Sequence, residues 1–289
     1  MHVFWVIPIN IVKHSKWLGI FLLFCSTFIC AANTDGELPG LFVINANGDV
    51  VCFSQGNLTY TQSTKTWSFA DHQYDIIGND NLVDDELADR IDLFGWSGDS
   101  ESAKHNYGVT TSGNTLEYNG NFLDWGNNPI SNGGNKANLW RTLTDEEWTY
   151  LLANNNQFPT KVNGVPGIAV MPYTVHVNKP ASYTLDEWAE AEKQGLIFLP
   201  FTGYRESKDS SVRDITTYGY YWTATALQSD PMSAKIMRCN TSKAMVLTAT
   251  RSRSQGSAVR LVKNKTVCTV LITVNADPQA GSVSIEVIE

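Results

Sequence analysis

Positive charge is in short supply in this chain. Lysine and arginine total 21 against 29 aspartate and glutamate, a formal net charge of −8. Nucleic acids demand a basic footprint, so a role on DNA or RNA is excluded, and the chain is expected to be soluble and indifferent to anionic membranes. Cysteine is scarce too. Of the 5, Cys25 and Cys30 fall in the first 32 residues, and Cys52, Cys239 and Cys268 are too far apart for zinc-ligand spacing and too few for a disulfide framework. One disulfide in an oxidising compartment and buried, unpaired thiols both remain open at this point. Histidine, also 5, offers no His-x-x-x-His pair; His2 and His14 come early, and His72, His105 and His176 sit in three differently textured loops. A nucleophile needs an activating base and an orienting group beside it, and nothing here supplies them. No cofactor and no metal is therefore expected, and the chain is not expected to be an enzyme.

A bilayer-spanning apolar run is missing as well. Lys13, His14 and Lys16 precede an apolar stretch from Trp17 to Ile29, followed by Cys30, Ala31, Ala32 and then polar Asn33, Thr34 and Asp35. The stretch is about 13 residues, short of the roughly 20 that cross a bilayer as a helix. Basic, apolar and then small residues make a secretory signal over residues 1–32, with cleavage expected after Ala32 and no membrane insertion afterwards. The mature part, roughly 260 residues, is enough for one large domain and a small appendage: a main domain over 33–263 and a tail over 264–289.

What remains is aromatic and loop-rich. Phe, Trp and Tyr make up 11% of the residues, enough ring surface for a core and for a binding face. Leu41–Ile44 and Val50–Phe53 flank Asn47-Gly48-Asp49 as two strands around a turn, and Leu58, Tyr60, Trp67 and Phe69 continue the strand pattern around a turn at Gln62–Lys65. Between Ser97 and Asn138, Gly, Asn and Ser dominate and irregular chain is expected. Thr144 with Glu147 and Thr184 with Glu187 are capping boxes. Trp148, Leu151 and Leu152 then form the buried stripe of one short helix, and Leu185, Trp188 and Ala191 that of another, closed by Gly195. Strands are expected at Gly167–Met171, Leu196–Pro200, Gly219–Thr225, Ala234–Cys239, Ala244–Thr250 and Ser257–Val262. The fold class is α+β, two short helices with an antiparallel sheet, and residues from Thr266 onward read as a C-terminal β-hairpin with its turn at Asp277–Gly281.

Five strings carry a family resemblance: Phe53-Ser54-Gln55-Gly56-Asn57-Leu58, Ala88-Asp89-Arg90-Ile91-Asp92-Leu93-Phe94-Gly95-Trp96, Trp140-Arg141-Thr142-Leu143-Thr144, Gly219-Tyr220-Tyr221-Trp222-Thr223 and Ser257-Ala258-Val259-Arg260-Leu261-Val262. In that order they resemble exported bacterial proteins of the Fibrobacter succinogenes major paralogous (FISUMP) type, over roughly Leu38 to Val262. The resemblance implies a C-type-lectin-like fold, in which two helices and a loop-rich half pack on a small antiparallel sheet, and it implies ligand binding by loops and an exposed sheet face. The same fold resembles the variable proteins of diversity-generating retroelements. It also resembles formylglycine-generating oxidases, whose closely placed cysteine pair is missing here, and calcium-dependent lectins, whose Glu-Pro-Asn, Gln-Pro-Asp and Trp-Asn-Asp strings are missing too. The tail resembles the start of a tandem β-repeat of bacterial surface proteins.

The acidic run Asp80, Asp84, Asp85, Glu86, Asp89 and Asp92 lacks the alternation and glycine of an EF-hand loop and reads as a solvated segment. In the aromatic string, alternation puts Tyr220 and Trp222 on one face and Tyr221 on the other. Trp222 is expected in the core and Tyr221 at the surface. Tyrosine beside arginine is the side-chain mix of binding hot spots, so Tyr204, Arg205, Tyr221, Arg238, Arg251 and Arg253 are the candidate ligand-binding residues. The expected function is a secreted or cell-surface domain binding a protein or carbohydrate ligand without metal. The alternatives are a structural adhesin or fimbria-associated subunit docking through its C-terminal hairpin, and a glycan hydrolase whose paired carboxylates the sequence does not single out.

Overall fold

The computed structural model describes residues 35–97, 106–118, 120–207, 211–241, 244–266, 271–276 and 283–288. The expected export signal over 1–32, His105 and Cys268 lie outside them.

The described residues form a mixed α+β structure of two helices and several small antiparallel sheets. β1 (Glu37–Val43) and β2 (Val50–Ser54) pair around the Asn45–Asp49 turn, and β2 pairs on its other side with β11 (Leu261–Lys265), so Phe53 lies opposite Val262. This sheet ties the beginning of the main unit to its end. β3 (Leu58–Thr61) and β4 (Thr66–Phe69) form the next hairpin. From there to Trp140 the described chain is loops, short bridges and 3-10 turns, as the Gly and Asn content leads one to expect.

Helix α1 (Asp145–Asn154) starts from a complete capping box: the Glu147 amide donates to the Thr144 hydroxyl at 3.2 Å and the Thr144 amide donates to the Glu147 carboxylate at 2.8 Å. Helix α2 (Leu185–Lys193) repeats both bonds between Thr184 and Glu187, at 3.3 and 2.8 Å. Trp148, Leu151 and Leu152 are buried, each side chain contributing about 1.5–3 kcal/mol relative to exposure. On α2 only Trp188 and Ala191 are buried. Leu185, expected in that stripe, is 50% exposed, because it is the first residue after the cap and the chain has only begun to turn toward the core. After α2, Gly195 holds φ +98°, and a Cβ there would come within 2.8 Å of the Gly40 Cα, so only glycine allows this passage.

A strand not anticipated from the sequence, β5 (Asn156–Val162), leaves α1 directly and pairs with β6 (Val165–Met171), which pairs in turn with β7 (Ile197–Pro200). Its Asn-rich start and internal Pro159 hide the strand pattern; the pairing along β6 outweighs the weak local preference. The last third is a meander of β8 (Tyr218–Ala226), β9 (Ser233–Asn240) and β10 (Ala244–Ser252).

Three buried clusters hold these elements. One joins Phe42, Phe53, Trp148, Val170, Leu199 and Tyr221 between α1 and the sheets. A second is aromatic, with Trp67, Phe94, Trp96, Trp125, Trp140 and Trp222. The third lies under α2, with Phe158, Tyr183, Trp188 and Phe198. In the aromatic cluster the indole N–H groups find backbone carbonyls: Trp96 donates to Thr223, Trp125 to Tyr107, Trp140 to Gly133 and Trp222 to Phe94. The bonds of Trp96 and Trp222 fasten the irregular stretch to the meander, and those of Trp125 and Trp140 tie parts of that stretch to one another. Cys52 and Cys239 are free and buried, which rules out a disulfide between these two.

The C-terminal unit is described by its two strands alone, β12 (Leu271–Ala276) and β13 (Val283–Ile288), paired antiparallel from Leu271↔Ile288 to Ala276↔Val283. The expected turn at Asp277–Gly281 lies outside the described residues.

Candidate functional site

The meander sets the geometry of the candidate face. Tyr220 lies opposite Arg238 across β8 and β9, so these two side chains share one face of the sheet, together with Tyr218 two residues back. The Arg238 guanidinium stands 5.2 Å from the centre of the Tyr218 ring, which stacks on Tyr220 at 5.9 Å. From outside the meander, the short strand Tyr204–Arg205 brings the Tyr204 ring edge-on to Tyr220 at 5.2 Å. Arg251, at the end of β10, places its guanidinium 3.6 Å from the Tyr204 ring centre and 4.0 Å from that of Tyr220. The result is a row of Arg238, Tyr218, Tyr220, Arg251 and Tyr204.

Hydrogen bonds hold the row in place. The Tyr220 hydroxyl donates to Asp214 at 2.7 Å, and Arg251 donates to the Gln255 side-chain oxygen at 3.0 Å. Gln255 donates onward to Glu206 at 3.0 Å, which also accepts from the Tyr204 hydroxyl at 3.4 Å. Burial and the bond to Asp214 push the Tyr220 phenol up to about 12, so it stays a neutral donor. Burial alone would raise the Glu206 carboxyl, but the bonds from Gln255 and Ser207 outweigh it and hold it below its usual range. Tyr204, Tyr218, Arg238 and Arg251 are all partly exposed, while Tyr220 is buried beneath Arg251 and Tyr204. The Nε groups of Arg238 and Arg251 have no hydrogen-bond partner among the described residues. Chemically the row offers two guanidiniums and rigid rings with hydroxyl tips, a surface for stacking and for donating hydrogen bonds.

Three of the candidate residues behave otherwise. Tyr221, expected at the surface, is 0% exposed and donates to the Pro200 carbonyl at 2.7 Å inside the first cluster. Both faces of β8 are packed at this point, so alternation separates Tyr220 from Tyr221 without exposing either. Arg253 is 2% exposed, because the chain turns after β10 and lays its guanidinium 4.1 Å from the Trp96 ring centre, donating to the carbonyls of Ser233, Tyr118 and Gly120. It pins the loop at Tyr118–Gly120 to the meander. Arg205 is 0% exposed beside Tyr118 and Gly256, and burial lowers its pKa. Tyr218 and Tyr220 were not among the sequence candidates. The cross-strand register that puts them beside Arg238 was the missing signal, and the residue spacing alone does not contain it.

The acidic run is dispersed. Asp84 and Asp85 form a turn with φ of +50° and +65°, Asp89 accepts from the Ser63 amide and hydroxyl, and Asp92 is buried. Among the described residues no three His, Cys, Asp or Glu side chains are placed to hold a metal ion.

A family model described as a domain of unknown function (DUF8237) matches residues 148–262, a stretch that contains every residue of the row. No curated protein and no solved structure matches the chain.

Proposed function

We propose that this chain is an exported ligand-binding protein of the FISUMP type with a C-type-lectin-like fold, which takes a protein or glycan ligand without metal through Tyr204, Tyr218, Arg238 and Arg251. One observation carries the reading: these residues come from four separate strands and meet in one partly exposed row. A half-buried network behind it, through Gln255 and Glu206, holds Arg251 and Tyr204 ready, which lowers the entropy lost on binding. Two helices, a loop-rich stretch and small antiparallel sheets are also the parts the resembled fold needs. The purified secreted chain is screened on glycan and surface-protein arrays. A Tyr204→Ala/Tyr218→Ala/Arg238→Ala/Arg251→Ala variant that folds normally and keeps all binding places the ligand elsewhere.

A structural role is the second reading, favoured by the two-stranded sheet of β12 and β13, whose edges are suited to strand addition. Deleting residues 266–289 separates the two. Lost assembly with ligand binding intact supports docking, and the reverse outcome removes it.

A further inference from the structure

A cleft of about 290 Å³ opens in the main unit, and its lining shares no residue with the Tyr204–Arg238 row. It lies where four stretches of chain meet: Tyr74–Ile77, Arg90–Asp92, the hairpin β3–β4 and the turn between β5 and β6. Gln73 anchors the first of these. Buried, it donates to Glu192 and the Leu196 carbonyl and accepts from the Phe198 amide and from Arg260, which holds Tyr74 and Asp75 in place at the rim.

The polar groups of the cleft are of three kinds. Asp75 gives one carboxylate oxygen to His72, which donates from its amide at 2.9 Å, and leaves the other without a partner among the described residues. The Arg90 side chain is exposed and makes no hydrogen bond or ion pair among the described residues, while its backbone pairs with Thr61 and its charge acts on Asp92. Asn163, in the left-handed region at φ +51°, presents an exposed amide that is likewise unpartnered. Deeper in, Asp92 is fixed by the Ile77 amide at 3.0 Å and the Asn81 side chain at 2.8 Å. Ile77 and Val165 add apolar wall, and the Tyr74 ring is backed by His72 stacked at 4.9 Å.

The size and the mixture define the ligand. The volume lies at the lower edge of the roughly 300–1,000 Å³ of drug-sized sites, so it suits a ligand of about a dozen heavy atoms. Two carboxylates disfavour an anion, and the guanidinium beside them disfavours a cation. A compact neutral molecule with several hydroxyls and an apolar C–H face meets every group: it donates to Asp75, accepts from Arg90, does both with Asn163, and rests its C–H face on Ile77, Val165 and Tyr74. We propose that this cleft binds a single neutral sugar residue of hexose size. The proposal stands independently of the row at Tyr204, since the two sites have no residue in common.

The test is saturation-transfer NMR on the secreted chain with glucose, galactose, mannose and N-acetylglucosamine, and with spermidine and acetate as charged controls. At least one sugar should bind saturably with a Kd of about 1 mM. Asp75→Ala and Arg90→Ala should each weaken it by about tenfold or more, while Lys136→Ala, at an exposed residue outside both sites, leaves it unchanged. Arg90 is exposed and Asp75 partly exposed, so the fold should survive both changes, with circular dichroism as the check. Asn163→Gly, which suits the left-handed turn, gives a third variant that should also weaken binding. The proposal is overturned if no sugar saturates, if a charged control binds in place of the sugars, or if sugar binding persists at full strength in the folded Asp75 and Arg90 variants.

Discussion

The guanidinium of Arg251 lies 3.6 Å from the centre of the Tyr204 ring, although the two residues belong to strands that do not pair with each other. The Tyr220 ring, edge-on to that of Tyr204, lies 4.0 Å from the same guanidinium, so the cation sits in the corner formed by two rings. Such contacts contribute about 0.5–2 kcal/mol each. Arg251→Ala should therefore lower unfolding stability by about 1–3 kcal/mol. Arg251→Lys should recover little of this, because an ammonium group cannot stack as a plane. Denaturant unfolding of both variants decides it; a lysine variant as stable as the parent would show that the stacking contributes nothing.

Tyr221 offers the opposite test. Its hydroxyl donates to the Pro200 carbonyl in the core, so Tyr221→Phe should cost about 1–2 kcal/mol in stability and leave any ligand binding at the Tyr204 row untouched. A phenylalanine variant that folds normally but loses that binding contradicts the assignment of Tyr221 to the core.

Trp148 and Trp188 stand four residues after their caps and are both buried. Truncating either to alanine should cost about 3–5 kcal/mol, whereas Thr144→Ala or Thr184→Ala should cost about 0.5–2 kcal/mol. Neither indole N–H has a hydrogen-bond partner among the described residues, so Trp148→Phe and Trp188→Phe should recover more stability than a lost indole would normally allow. Equilibrium unfolding midpoints of the six variants give the ranking.

Two carboxylates should respond to acid with opposite signs. At Glu37, burial alone would raise the pKa, but the ion pairs with Lys263 and Lys265 outweigh it, and the folded value lies below the unfolded one. Its contribution to stability is thus present above about pH 4.3 and is lost as the pH falls through the folded value. At Asp92 burial prevails and raises the folded pKa, so the native state takes up that proton first, and its share of stability grows as the pH falls through the raised value. Glu37→Gln should flatten the loss of stability on the acid side, and Asp92→Asn should steepen it. Unfolding free energies measured from about pH 3 to 7 test both.

Burial pushes the thiols of Cys52 and Cys239 up to about 12. Both should resist alkylation at about pH 8 in the native protein and react fully in denaturant, read by mass spectrometry. Native-state alkylation of either one would mean that it is more open than its position in the core allows.

Some of this molecule is written locally and some is not. The capping boxes at Thr144 and Thr184, the turn at Asn45–Asp49 and the buried stripe of α1 depend on residues three to five apart, so their partners are visible in the sequence, and the structure contains all of them. Alternation likewise separates Tyr220 from Tyr221. It cannot say that both faces of β8 are covered, because the coverings, Pro200 on one side and Arg251 with Tyr204 on the other, come from distant parts of the chain. Arg253 is buried for a similar reason. Its partners are the carbonyls of Ser233, Tyr118 and Gly120, and every residue carries a carbonyl, so no side-chain pattern marks the site in advance. The cleft around Asp75, Arg90 and Asn163 is assembled from four stretches that become neighbours only after β5 has paired with β6 and Gln73 has docked between α2 and β7. Short-range hydrogen bonds and side-chain period are properties of a sequence, but the assignment of a face to solvent or to core is a property of everything that packs against it.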